Sequence, residues 1–186
     1  MKKMTYDTRI YKAPKDACNP NLTVTYLYDY KENVDFPTVK EKRNGGYVID
    51  PSFSIVISEG FDKNRIYIPG NKYCAFISLF RKTIDLVKEN LFTIFPDINK
   101  TEFEVDSRAL ERFQTEKALM VGGMTAGPAV YSNPTNECFP GIMISSQYGE
   151  IIVALEDAIQ VSEIFRIFDP YSYSITMLHF FGNMNK

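Results

Sequence analysis

Arg65 and Tyr67 alternate with Ile66 and Ile68 in the run Arg65-Ile66-Tyr67-Ile68-Pro69. Successive side chains of a strand point to opposite faces, so isoleucines turned toward a core leave the guanidinium and the phenol outward together. A cation beside an aromatic ring can neutralise a phosphate and offer a flat surface to a base, the two contacts that hold unpaired nucleic acid. Lys63 sits in the adjoining turn, Lys40, Lys42 and Arg43 cluster before Gly45, and Tyr26, Tyr28 and Tyr30 form a row of rings at the same period of two. Arg112 and Lys117 are candidate additions from the second half. Each feature has an ordinary alternative. The tyrosine row shares its face with Leu22 and Val24, which suits core or subunit packing equally well. The Lys40–Arg43 cluster suits a solvated turn, and Glu150 takes the place of Arg65 in the second half, where it would repel phosphate.

Other chemistries lack their parts. His179 is the sole histidine and lies in the apolar run Met177-Leu178-His179-Phe180-Phe181, which reads as a buried or partly buried position. Cys18, Cys74 and Cys138 are odd in number and far apart, so neither a disulfide framework nor a zinc knuckle is expected. Gly122-Gly123 and Gly127 lack the lysine and the strand-to-helix context of a phosphate-binding loop. The sequence therefore points to no catalytic residues, no metal ligands and no cofactor, and the chain is not expected to be an enzyme.

The 186 residues suffice for one domain or two small lobes, and the 45% hydrophobic content is that of a globular chain. Ile151-Ile152-Val153-Ala154-Leu155 is among the longest apolar runs, far short of a membrane span, and no apolar stretch follows Met1-Lys2-Lys3. An intracellular, cytoplasmic protein without membrane contact is expected. Charge is uneven: residues 1–100 carry a balance of +4 and residues 101–186 one of −6, giving the net −2. Such a dipole fits a first half facing a polyanion and a second half facing away or toward a protein.

These residues need elements to position them. Residues 1–20, with Pro14 and Pro20, read as an irregular arm, and residues 21–186 as one domain. Strict alternation from Leu22 to Tyr30 predicts a strand, as do Phe53–Ser58 and Arg65–Ile68 on either side of a turn. Asn71 is a candidate N-cap for a helix whose apolar face carries Tyr73, Phe76, Ile77, Phe80, Ile84, Val87 and Leu91. In the second half, Phe103–Val105 begins a weak strand, and 109–121 fits strand or helix. Residues 122–141 read as a long loop, Ile142–Ser145 and Glu150–Leu155 as strands, and Glu156–Phe168 as a helix.

Two segments align. Ile55, Ile57, Ser58 and Phe61 correspond to Ile142, Ile144, Ser145 and Tyr148; Ile66 and Ile68 to Ile151 and Val153; Phe76, Phe80 and Arg81 to Val161, Phe165 and Arg166. The fold class expected is α+β: two antiparallel-sheet-plus-helix (ββββα) repeats, about 22–96 and 101–170, packed around a shared helical core with a short C-terminal extension. Pairing two sheets over crossed helices would bury Phe76, Phe80, Phe165 and Phe168.

This order resembles the Whirly and transcriptional positive-cofactor group of single-stranded-DNA-binding proteins, whose repeat is four strands followed by a helix. Arg65-Ile66-Tyr67-Ile68-Pro69, leading at once into the helix with Phe76 and Phe80, is similar to that group's aromatic strand ending in a Tyr-Ile-Pro step. Glu116-Lys117-Ala118-Leu119 is similar to the Lys-Gly-Lys-Ala-Ala-Leu signature of plant Whirly proteins, without its glycine and in the second repeat. The resemblance implies an intracellular homo-oligomer that binds single-stranded DNA or RNA, as a replication, recombination or transcription accessory of phage type. The competing expectation is a protein-binding inhibitor or structural subunit acting through Glu102, Glu104, Asp106, Glu156, Asp157, Glu163 and Asp169.

Overall fold

The computed structural model describes residues 3–31, 40–41, 47–48, 53–60, 64–96, 108, 110–111, 119–174 and 176. The fold is α+β. Its strands are β1 (Lys3–Lys12), β2 (Leu22–Lys31), β3 (Lys40–Glu41), β4 (Tyr47–Val48), β5 (Phe53–Glu59), β6 (Asn64–Pro69), β7 (Leu119–Val121), β8 (Met124–Ser132), β9 (Cys138–Ser146) and β10 (Gly149–Ala154). The helices with described bounds are α1 (Tyr73–Glu89), α2 (Leu91–Ile94) and α3 (Leu155–Ile167), and residues 170–174 are also helical. Eight strands form one antiparallel sheet in the order β1-β2-β5-β6-β10-β9-β8-β7, while β3 and β4 make a separate two-stranded ribbon.

Each half therefore supplies a four-stranded antiparallel meander that runs into a helix. The expected pair of separate sheets is corrected: β6 and β10 join the halves edge to edge through Gly149 opposite Ile66 and Glu150 opposite Arg65. Helix α1 leaves the first half and packs on β7, β8 and β9 of the second. The chain after α3 packs back on the first half, where Tyr26 meets Phe168 and Tyr173 edge-on and Phe53 meets Tyr171 at 5.2 Å. Phe76, Phe80 and Phe165 meet where the helices cross, with centroids 5.3–6.0 Å apart. One core results, lined by Ile55, Ile57, Ile66 and Ile68 from one half and Ile142, Ile144, Ile151 and Val153 from the other.

Four sequence expectations are corrected. The arm at 1–20 is not irregular: residues 3–12 pair with β2 along nearly their whole length, with a register shift between Arg9 and Tyr11. Residues 122–141 are mostly strand rather than loop. Pro140 is compatible with this because it falls where a neighbour has ended: pairing of β9 with β10 stops at Gly141. Asn71 is not the N-cap; it lies in a 3-10 turn, Gly70–Lys72, and α1 begins at Tyr73 after Lys72. Phe168 is half-buried rather than central. The weak strand expected at 103–105 and His179 lie outside the described residues.

Candidate nucleic-acid interface

The alternation in β6 works as the residues demand. Ile66 and Ile68 are fully buried beneath the helices; Arg65 is exposed and Tyr67 half-buried on the face away from α1 and α3, which is helix-free among the described residues. The Arg65 guanidinium carbon stands 5.4 Å from the Tyr67 ring centroid, so the ring props the cation outward. In the sheet, Ser58 lies opposite Arg65 and Val56 opposite Tyr67 on the β5 side. On the other side Glu150 lies opposite Arg65. Directly opposite residues share a face, so this exposed carboxylate offsets part of the local positive charge.

Tyr148, absent from the sequence-derived set, belongs here. Its carbonyl accepts the Tyr67 N–H at 3.2 Å, which places it opposite Tyr67 across the junction, and it is 40% exposed. Its signal was available in the sequence as a bulky ring in a Gln-Tyr-Gly turn, where solvent is the usual neighbour. Gly149 makes the approach possible. It has φ +124°, and a Cβ there would overlap the Arg65 carbonyl oxygen.

Around this centre the helix-free face is rich in hydroxyls. Thr23 and Thr25 come from β2, Ser54 and Ser58 from β5, Ser145 from β9 and Thr125 from β8, with Thr23 and Ser58 hydrogen-bonded at 3.0 Å. Ile152 and Met143, opposite each other, add half-buried apolar surface.

The other expected residues fare differently. Tyr26 and Tyr28 are corrected: they are 0% and 3% exposed on the helix side, and the Tyr26 hydroxyl is bonded to Ser174 Oγ at 2.7 Å. Their parity with Leu22 and Val24 carries them into the core. Lys40 lies opposite Val48 in the separate ribbon, outside the eight-stranded sheet. Lys42, Arg43, Lys63, Arg112 and Lys117 lie outside the described residues.

Beyond the Glu150–Arg65 pair, where β6 and β10 part, lies an open groove of about 530 Å³, lined by Glu59, Asn64, Val130, Tyr131, Ser132, Asn133, Pro134 and Ile152. The Tyr131 hydroxyl donates to Glu59 Oε1 at 2.9 Å, and Asn64 Nδ2 donates to Oε2 at 3.0 Å. Burial, then the bond to Glu59, holds the Tyr131 phenol above its ordinary pKa, so it remains a donor at physiological pH.

Of the acidic residues expected to act together, Glu102, Glu104 and Asp106 lie outside the described residues, and the described ones are engaged locally. Asp157 is 1% exposed and accepts the Asn19 N–H at 2.8 Å; burial raises its pKa to about 6. Glu163 pairs with Arg166 at 2.7 Å, and Asp169 accepts from Ser172 Oγ and the Tyr171 N–H, which lowers its pKa. Glu156 accepts a 3.7 Å contact from Cys18, whose thiol is pushed up to about 11 by burial and by Asp157 and Glu156. That thiol is a poor nucleophile. Among the described residues, no group of His, Cys, Asp and Glu could hold a metal ion, and no helix is long and apolar enough to cross a membrane. No family model, curated protein or solved structure matches the chain.

Proposed function

We propose that the protein binds single-stranded nucleic acid across the helix-free face of its sheet, with Arg65 contacting phosphate and Tyr67 and Tyr148 stacking on bases. The carrying observation is the outward Arg65–Tyr67 pair on a central strand, its guanidinium 5.4 Å from the ring and the exposed Tyr148 alongside. A central strand is rigidly seated, so these side chains are held in place before a ligand arrives. The surrounding hydroxyls suit hydrogen bonds to phosphate and sugar oxygens, which position a strand without reading its sequence. Strands β1 and β7, at the ends of the sheet among the described residues, support assembly of several copies. Engagement of Asp157, Glu163 and Asp169 in local bonds weighs against the acidic protein-binding alternative.

Fluorescence anisotropy with labelled oligo(dT) tests the proposal. Binding should weaken as salt rises, and Arg65→Ala should flatten the slope of log K against log[salt] by about 0.7, one phosphate contact to a single strand. Tyr67→Ala should cost about 1 kcal/mol or more, the lower end for one stacked base. Both variants should melt at the wild-type temperature. Absence of binding at low salt and micromolar protein would end the proposal.

A further inference from the structure

The groove beside the interface has no part in phosphate contact, because its floor is an acid. Its Ile152 wall lies along the same face: Ile152 is two residues from Glu150 on β10 and shares that residue's side of the strand, about 7 Å further on. Glu59 and Asn64, opposite each other on β5 and β6, have the parity of Ile57 and Ile66 and enter the groove from the helix side, beyond the Glu150–Arg65 pair. A base of a strand lying over Tyr67 and Arg65 therefore reaches Glu59 through the gap where β6 and β10 part.

We infer that this groove is a base-selective subsite in which Glu59 accepts hydrogen bonds from a base's exocyclic amine, favouring cytosine and other amine-bearing bases over thymine. The inference rests on the nucleic-acid reading above. Glu59 is fixed by two donors, the Tyr131 hydroxyl on Oε1 and Asn64 Nδ2 on Oε2. A carboxylate has about four acceptor positions, so two donors leave room for an amine. Carboxylate acceptance from the cytosine N4 amine is a recurrent base contact. Thymine lacks that group, and the carbonyls flanking its N3–H would face the carboxylate with like partial charge. The far wall is preformed: Asn133 Oδ1 accepts from the backbone N–H groups of Thr135 and Glu137 at 3.0 and 2.9 Å, which locks the turn carrying Asn133 and Pro134. Pro134 and Ile152 supply the apolar sides against which a base ring can lie.

The test compares oligo(dC), oligo(dT) and an oligomer of N4,N4-dimethylcytosine by anisotropy at pH 7.5. Wild type should bind oligo(dC) about 5- to 10-fold more tightly than oligo(dT), the lower end of what one good base contact supplies. Dimethylation, which removes the donor without touching the protein, should return the affinity to that of oligo(dT). Glu59→Gln should abolish the preference and leave oligo(dT) binding within about twofold. Equal binding of all three oligomers by wild type would overturn the subsite and leave the interface standing. Binding of none would overturn both. A preference that survives dimethylation, or survives Glu59→Gln in a folded variant, would assign selectivity elsewhere and reject this groove.

Discussion

Tyr26 and Tyr67 are the same side chain on neighbouring parts of one sheet, and the pleat sends them to opposite faces. Tyr26 shares parity with Leu22 and Val24 and is fully buried; Tyr67 shares parity with Arg65 and faces solvent. Both parities could be read from the chain, but which face of β2 was inward depended on which neighbours covered it. The groups that cover Tyr26, namely Phe168 and Tyr173, come from residues more than 140 positions away. Asp157 carries a residue-scale prediction. Its pKa of about 6 in the fold lies above the ordinary 3.8, so between those values the folded state holds a proton that the unfolded state has lost. Stability therefore falls as pH rises through that window, by up to about 3 kcal/mol from this group. In Asp157→Asn that contribution is gone, so urea melts at pH 4, 5, 6 and 7 should show the variant gaining on wild type with each step. A stability difference that does not change with pH would refute this.

At the scale of elements, helix α1 was the most legible. Its apolar spacing named Phe76, Phe80, Ile84 and Val87, all buried. Phe80→Ala should cost about 3–5 kcal/mol, read from denaturant melts, because the ring touches both Phe76 and Phe165 and its loss leaves a cavity at the helix crossing. A cost under 1 kcal/mol would mean the crossing is not the centre of the core. Strands β1, β8 and β9 were the least legible. β1 is an edge strand whose outward Asp7 and Arg9 hide its alternation, and a register shift breaks the period near Ile10. In β8 and β9, Gly127-Pro128 and Pro140-Gly141 look like turn signals, yet both lie inside strands, and Pro140 falls just past the point where pairing with β10 stops at Gly141. Where a neighbour ends is a tertiary fact, and no local pattern announces it. The groove was illegible for the same reason: Glu59, Tyr131 and Asn133 meet only after the halves have joined.

For the whole molecule, the narrow junction of β6 with β10 decides whether one sheet exists. Among the described residues, only Gly149–Ile66 and Glu150–Arg65 are paired there, with the Tyr67 N–H to Tyr148 carbonyl bond beyond. Gly149→Ala places a methyl group against the Arg65 carbonyl at a φ that alanine rarely adopts, so β10 must withdraw from β6. The expected result is a loss of about 3 kcal/mol or more in urea melts, combining strain with lost ladder bonds. Folded Gly149→Ala should also lose oligonucleotide binding, since Tyr148 and Tyr67 no longer stand together. Wild-type stability and binding in this variant would remove the junction from the argument.

The placement of α1 over strands β7, β8 and β9 has a consequence for how the molecule is made. As the chain emerges from a ribosome, α1 can form soon after residue 89, but the strands that cover its apolar stripe, up to Ser146, do not yet exist. The aromatic lid for β2 and β5 arrives later still, with Tyr171 and Tyr173. A nascent first half therefore carries a greasy, unsheltered surface for most of its synthesis. It cannot mature as an early unit, and its birth is tied to synthesis through Tyr173.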